Sequence, residues 1–282
     1  MAQTQTILIG IDGGGTGCRL GVECSGQRHL VETGPTNVTT NFAQSVETLT
    51  AGLSTLADIA GLSMSDLQGA HAHLGVAGVL SRDDAARLGA ALPLKRAVIT
   101  DDQITTLRGA LGRDDGIVLS LGTGSFVARQ TRGDVKTIGG WGLILGDEAS
   151  GAWLGREAIA TALRAKDGLE TDSPFLKSLA PRLMDFVGAP KQADFAALAP
   201  DVITAALQED PKAITILDQA LAYLERVVST LDPQANLPLC LIGGLARSYR
   251  DLLPDALSKR LVPARGTAID GAFDLAREAA LS

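Results

Sequence analysis

The sequence predicts a two-domain α/β protein whose mixed sheets are flanked by helices. Three observations predict it. A strand, a glycine turn and two further short strands occur from residue 7 and again from residue 117. After each opening, apolar runs of strand length alternate with helical periodicities. The length, 282 residues, is comfortable for two cores of ordinary size. The repeat reads as a weak duplication of a ββ(β)αβα unit. It sets one domain at residues 1–112 and another at 113–282, with the last helix free to cross back to the first. No Gly/Ser linker, charge block or low-complexity segment intervenes, so the halves are expected to pack directly.

The elements follow in order. Residues 7–11 form an apolar run closing in Asp12, residues 19–23 resume it after the glycine turn, and residues 29–32 complete a meander. Residues 42–60 carry Val46, Leu49, Leu53, Leu56 and Ile59 at helical spacing. A buried strand is expected at 73–76, a helix at 83–92, a strand at 97–100 ending at Asp101-Asp102, and a helix at 104–111. The second half repeats the opening with strands at 117–120, 126–129 and 135–138. A helical region is expected at 148–166, an irregular stretch with three prolines at 171–192, and helices again through Val228. Residues 239–242 read as a buried strand, followed by helices beginning near Leu245 and Gly266.

Composition narrows the function classes. Hydrophobic residues make up 45% and charged residues 20%, an ordinary soluble globular balance. Aromatic residues are only 4% and the formal net charge is −7. Both argue against nucleic-acid partners, which need stacking rings or a basic footprint. Acidity leaves nucleotides open, because backbone N–H groups and a metal ion neutralise a few phosphates locally. Met1 to Thr6 show no charged leader segment, and no apolar run approaches the roughly 20 residues of a membrane helix. Cys18, Cys24 and Cys240 are scattered and lack CxxC spacing, which fits reduced thiols. A cytoplasmic protein with no membrane partner is expected.

Candidate functional residues gather at three glycine turns: Asp12-Gly13-Gly14-Gly15-Thr16, Gly122-Thr123-Gly124-Ser125 and Gly243-Gly244. Rows of backbone N–H groups in such turns form anion-binding concavities. The first two read as grips on phosphate and the third as a floor for a nucleoside, together a nucleotide clamp built from two halves. Asp12 can hold Mg²⁺ directly or through water, or brace a hairpin turn; Thr16 offers a hydroxyl to a phosphate oxygen. The second turn also fits a plain hairpin, and Gly243-Gly244 a tight strand–helix turn. Neither GxxxxGK[ST] nor GxGxxG occurs. Asp101 and Asp102 follow a strand end, where catalytic groups gather in α/β sheets. One suits the carboxylate that accepts a hydroxyl proton in phosphoryl transfer, and the other suits a helix N-cap. Asp147 suits sugar hydroxyls, whereas Glu148 fits the first turn of the helix that follows. His29, His71 and His73 read as structural or exposed, with His71 and His73 on a strand edge.

The ordered set IDGGGTGCRL, GPTN, GVAGV, TDDQ, GIVLSLGTGSF, GGWGLILGDEASGAWLG, CLIGGLA and AIDGAFDLA resembles the superfamily of sugar kinases, heat-shock ATPases and actin. Within it the chain is similar to the BadF/BadG-type ATPase and N-acetylglucosamine kinase group, and to bacterial glucosamine kinases in particular. The resemblance spans essentially the whole chain. It implies a two-domain actin-like ATPase fold, a duplicated ribonuclease H-like core, with ATP and Mg²⁺ as cofactors. Asp12 would then serve Mg²⁺, and Gly13, Gly14, Gly15 and Thr16 the phosphates. Gly122, Thr123 and Gly124 would form the second phosphate turn, with Gly243 and Gly244 under the adenosine. Asp102 matches the base, since Leu107-Arg108-Gly109-Ala110 keeps the family spacing; Asn37 and Asp147 match sugar contacts. Gly17 departs from the Lys, Arg or Ser of many members, and Leu121 from a small residue.

The implied activity is ATP-dependent phosphorylation of the 6-hydroxyl of glucosamine, with N-acetylglucosamine the alternative acceptor and closure of the domains over the sugar. A homodimer is a common assembly in the group. An ATPase energising a partner reductase or dehydratase would need cysteines clustered at an interface, and these three are not so placed. A sugar-sensing regulator would need a DNA-binding extension or a lost base, and Asp102 is kept.

Overall fold

The computed structural model describes residues 6–281; Met1–Gln5, part of the segment without leader features, and Ser282 lie outside the described residues. The chain divides into two compact units, Met1–Arg113 with Ala264–Ser282, and Asp114–Pro263.

The first unit is built on a five-stranded mixed sheet. β1 (Leu8–Gly13), β2 (Cys18–Cys24) and β3 (Gln27–Thr33) form an antiparallel meander, and β4 (His71–Val76) and β5 (Arg96–Thr100) run parallel to β1, in the order β3-β2-β1-β4-β5. Its helices are α1 (Phe42–Ala60), α2 (Met64–Gly69), α3 (Arg82–Ala91), α4 (Asp102–Leu111) and, at the end of the chain, α12 (Ala268–Leu281). Side chains alternate along a strand, and both faces of β1 are covered. Ile9 and Ile11 pack in a core with Leu49, Leu53 and Leu56 of α1. Leu8 packs with Ile269 and Phe273 of α12. A strand covered on both faces reads as a continuous apolar run, which is why residues 7–11 look as they do.

Capping sets the helix ends. The Asn41 side chain accepts from the Gln44 N–H to open α1, and Gly61 closes it in a left-handed conformation. Asp270 accepts from the N–H and hydroxyl of Thr267 at the start of α12. α12 is pinned by Arg28–Asp270 at 2.6 Å, Arg277–Glu23 at 2.7 Å and an Arg108–Glu278 pair. The Arg28 guanidinium also lies 4.3 Å from the centre of the Phe273 ring.

The second unit follows the same path. β6 (Gly116–Leu121), β7 (Ser125–Thr131) and β8 (Asp134–Gly139) form the meander, with β9 (Leu239–Ile242) and β10 (Leu261–Val262) parallel on the other side of β6, in the order β10-β9-β6-β7-β8. Taken as meander then two parallel strands, the two sheets have one topology. The duplicated openings of the sequence are the visible part of this repeat. The second unit's helices are α5 (Gly151–Lys166), α6 (Pro174–Leu179), α7 (Gln192–Ala196), α8 (Ala199–Leu207), α9 (Pro211–Leu231), α10 (Ala246–Arg250) and α11 (Asp255–Ser258). Their apolar faces form one core with β6 that includes Leu119, Trp153, Leu224 and Tyr249.

Several expectations need correction. β4 is an inner strand, between β1 and β5, so His71 and His73 are not on a sheet edge. Residues 171–192 hold α6 and a 3-10 helix at Ala180–Phe186, because proline is tolerated in the first turn of a helix. The helix expected from residue 148 begins at Gly151: Asp147 and Ala149 have φ of +58° and +66°, and Ser150 caps it. Glu148 is therefore outside its first turn. The helix near Leu245 is a single short turn, followed by α11 and β10. Among the described residues, no helix is long and apolar enough to cross a membrane.

Candidate active site

In the first unit, strand register assembles a transverse row. Glu32 pairs with Arg19, Arg19 with Asp12, Asp12 with Gly75 and Gly75 with Thr100, one residue from each of the five strands. Residues that oppose one another in a sheet share a face, so Asp12, Arg19 and Glu32 lie side by side. Asp101 and Asp102 follow directly from Thr100 at the end of β5.

The turn beyond Asp12 leaves N–H groups available. Gly14 donates to the Gly17 carbonyl at 2.9 Å, and the Gly14 carbonyl accepts from Thr36 at 2.9 Å. Among the described residues, the N–H groups of Gly15, Thr16 and Gly17 find no backbone acceptor. That is the concavity an anion requires. The 36–37 segment is held against this turn. Ala77 donates to the Gly13 carbonyl at 2.7 Å, and Val38 to the Ala77 carbonyl at 3.1 Å. Asn37 receives a hydrogen bond on its side-chain oxygen from the N–H groups of both Thr39 and Thr40, each at 3.1 Å. Two N–H donors fix which end of the amide is oxygen, so the Asn37 NH₂ group points away from them.

The two adjacent aspartates divide their work. Asp101 caps α4, accepting from the Gln103 N–H at 3.0 Å, and Asp102 is the first residue of the helix. The alternative left open by sequence is thus resolved for Asp101. α4 is docked through Thr105, which donates to the Asp102 carbonyl at 3.0 Å and fills the space a Cβ on Gly75 would occupy, 2.1 Å from its hydroxyl. The absent side chain at Gly75 therefore lets Asp102 approach the Asp12 row. Below it, His73 lies 3.2 Å from the Thr100 hydroxyl, which donates to the Asp101 carbonyl at 3.1 Å. Burial holds the His73 imidazole down to about 4, so it stays neutral and structural.

The Asp102 carboxyl is raised by its surroundings. Burial, then Asp101 and then Asp12 push the Asp102 carboxyl up to about 8. Burial also raises Asp12, with Arg19 opposing it. Such crowding of carboxyl groups is characteristic of functional sites. Among the described residues, no group of three or more His, Cys, Asp or Glu side chains could hold a metal ion alone. One strand-end carboxylate with a second close by suits Mg²⁺, which keeps most of its waters and shares substrate phosphates. Asp12 with Asp102 nearby fits that donor set.

In the second unit the other two turns meet. Gly122 donates to the Gly124 carbonyl at 2.9 Å, while the Gly122 and Thr123 carbonyls accept from Gly151 and Ala152 at the start of α5. The turn is seated by its carbonyls on a helix N-terminus, and its Thr123 and Gly124 N–H groups have no backbone acceptor among the described residues. A Cβ on Gly122 would lie 3.7 Å from the Gly244 nitrogen, and Gly244 itself faces open space. Gly243 has φ of +96°, and a Cβ there would lie 2.3 Å from the Leu121 carbonyl oxygen. Gly243→Ala therefore breaks both the backbone conformation and the contact with β6. It should weaken nucleotide binding at least tenfold by calorimetry and lower the melting temperature of the protein.

Asp147 is 3% exposed. Its carboxylate accepts from the Gly142 N–H at 3.1 Å and the Gln192 amide at 2.8 Å. It also accepts from the Ser125 backbone, and burial raises it overall. Asp147 thus braces the second turn, with three of about four acceptor positions used. Tyr249 supports the same corner by donating to the Ala149 carbonyl at 2.9 Å. Trp141, Ile144 and Leu145, in the loop before Asp147, are exposed.

The site residues expected from sequence thus form two groups: Asp12, Gly13–Thr16, Asn37 and Asp102 in the first unit, and Gly122–Gly124, Asp147, Gly243 and Gly244 in the second. Sequence reasoning missed Thr36, Ser45, Gly75, Thr105 and Gln192. They brace the candidate residues through contacts that no motif spacing records: Ser45, for instance, accepts from the Asn37 N–H at 3.0 Å.

Residues 9–271 match the BadF/BadG/BcrA/BcrD ATPase family. The chain belongs to this family. It is 26% identical over 275 residues to glucosamine kinase GspK of Vibrio cholerae, covering 94% of each protein. It is also similar to a crystal structure from Chromobacterium violaceum, provisionally named an N-acetylglucosamine kinase. That match has a TM-score of 0.87 and 35% identity over 96% of this chain and 99% of the other. A glucokinase of the ROK family from Streptomyces griseus, solved with glucose and AMPPNP, shares the fold at a TM-score of 0.55 and 19% identity, covering 97% and 99%. The architecture is that of the actin-like ATPase sugar kinases.

Proposed function

We propose that this protein is an ATP-dependent kinase that phosphorylates the 6-hydroxyl of an amino sugar, glucosamine in the first instance. The observation that carries the reading is Asp102 beside the Asp12 turn, in a family of ATPases whose relatives above are named for amino sugars. N-acetylglucosamine is the alternative acceptor. The Chromobacterium violaceum match favours it, and the Vibrio cholerae relative favours the free amine.

In this reading Asn37 donates from its side-chain NH₂ to the sugar, and Asp147 accepts a sugar hydroxyl at its remaining acceptor position. Asp102 accepts the proton of the 6-hydroxyl as that oxygen bonds to the terminal phosphorus of ATP and the bond to ADP breaks. The phosphates lie against the Gly13–Thr16 turn of the first unit, at the N–H groups of Gly15 and Thr16, and on those of Thr123 and Gly124 in the second. Gly243 and Gly244 underlie the adenosine. A magnesium ion at Asp12 would offset charge on the phosphates. Positioning and charge neutralisation supply most of the acceleration in phosphoryl transfer, and each residue assigned here other than the base Asp102 does one or the other. The domain boundary near residue 113, a homodimeric assembly and a cytoplasmic location belong to the same proposal.

ADP release measured with glucosamine, N-acetylglucosamine, glucose and no sugar tests it. Release that depends on an amino sugar is expected. Equal release with no sugar present favours an ATPase and overturns the kinase reading.

A further inference from the structure

Three segments of the second unit send donors to the buried Asp147 carboxylate. The Gly142 N–H reaches Oδ1 at 3.1 Å from the preceding loop, and the Ser125 backbone donates from the second glycine turn. The Gln192 amide reaches Oδ2 at 2.8 Å from the start of α7. The first two donors are fixed by the course of the chain, and Gln192 is the side-chain donor. A Cβ on Gly124 would lie 2.8 Å from the same Oδ2 and 3.4 Å from the Gln192 amide nitrogen. Carboxylate and amide are therefore packed together on the bare backbone of the turn. α7 is anchored to α5, since a Cβ on Gly155 would lie 1.9 Å from the Phe195 carbonyl oxygen. α5 in turn seats the glycine turn through the Gly122 and Thr123 carbonyls. Among the described residues, the bond to Asp147 is the one hydrogen bond that the Gln192 side chain makes.

We propose that Gln192 is a positioning residue for the acceptor sugar, turning Asp147 so that its remaining acceptor position meets a sugar hydroxyl. The proposal rests on the sugar-kinase reading above. Three physical points carry it. The last torsion of an aspartate is broad, so a side-chain donor on Oδ2 is what fixes the plane of the carboxylate. A neutral amide fixes that plane without supplying a charge that would compete with the sugar for the carboxylate, as an arginine or lysine would. Burial favours the uncharged acid, and the amide N–H opposes it, keeping a strong acceptor in place. Glu148 of the same loop and Tyr223 of α9 are the other titratable groups facing Asp147.

A positioning role separates sugar from nucleotide and responds to a proton. AMP-PNP is titrated calorimetrically into the wild type, Gln192→Leu and Gln192→Glu. Glucosamine and N-acetylglucosamine are then titrated into each protein with Mg²⁺ and AMP-PNP present, near neutral pH and again about two pH units lower. Gln192→Leu, close in size but without the donor, should weaken sugar binding by about tenfold or more while AMP-PNP changes less than about twofold. Gln192→Glu sets two carboxyl groups against each other and should weaken the sugar at neutral pH. At the lower pH a proton shared between them restores the bond, so this variant should regain most of its loss relative to the wild type, and Gln192→Leu should not. A merely structural brace would weaken AMP-PNP together with the sugar and show no recovery at low pH, and that result overturns the proposal. Wild-type sugar affinity in Gln192→Leu overturns it too, and leaves the sugar-kinase reading standing. A wild type that binds AMP-PNP but neither amino sugar removes that reading and this assignment with it.

Discussion

Asp102→Asn is expected to lower turnover by roughly 10²- to 10⁴-fold, the range for loss of a positioned general base, while leaving ATP affinity close to that of the wild type. The same variant should be more stable than the wild type at neutral pH. The folded protein holds the Asp102 carboxyl up at about 8, through burial and then Asp101 and Asp12. In the unfolded chain an aspartate titrates near 3.9. A carboxyl raised in this sense contributes stability that is fully present below the unfolded value and declines as pH rises towards the folded one. The wild type should therefore lose stability between about pH 4 and pH 8, and Asp102→Asn should lose less. Melting curves across that window, alongside steady-state rates, check both halves. Because the base must be ionised, kcat/KM of the wild type should also rise with pH towards about 8. A variant that keeps wild-type turnover would remove Asp102 from the base role.

Gly271→Ala should be among the most destabilising single substitutions in the first unit. α12 crosses α4 with backbone nearly on backbone: a Cβ on Gly271 would lie 2.1 Å from the Thr105 carbonyl oxygen and 2.4 Å from the Gly109 nitrogen. Gly109 is equally tight, since a Cβ there would lie 1.9 Å from the Thr267 carbonyl oxygen. Neither partner is a flexible side-chain end, so one helix must move. Overpacking costs typically about 1–3 kcal/mol, and more where backbone is displaced. The shift also reaches function, because α4 carries Asp102 and Thr105. Melting temperature and turnover should fall together, and an unchanged melting temperature would show that the crossing is looser than described.

Much of the fold was legible because burial and periodicity are local signals. Residues 42–60 carry an apolar stripe bounded by Asn41 and Gly61, and α1 has those ends. The duplicated meander could be read because each glycine turn interrupts an apolar run. The parallel pairing of β4 and β9 with their meanders was not legible, since no spacing records which distant strand lies beside β1 or β6. The candidate site divides the same way. Asp12, Asp102 and the three turns announce themselves by type and position. Thr105 and Gln192 do not, because Thr105 meets Gly75 and Gln192 meets Asp147 through contacts that only the folded chain creates. His73 looked like an edge residue because alternation reveals the face of a strand but not its rank in the sheet. Arg19 was visible only as one residue of a strand until register set it between Asp12 and Glu32.

The central claim is that phosphate passes from ATP to a sugar hydroxyl. Phosphorus-31 and proton NMR of the products, after incubation with ATP, Mg²⁺ and glucosamine, tests it most directly. A phosphomonoester coupled to the protons on carbon 6 of the sugar is the predicted result. Inorganic phosphate as the sole phosphorus product besides ADP would contradict it.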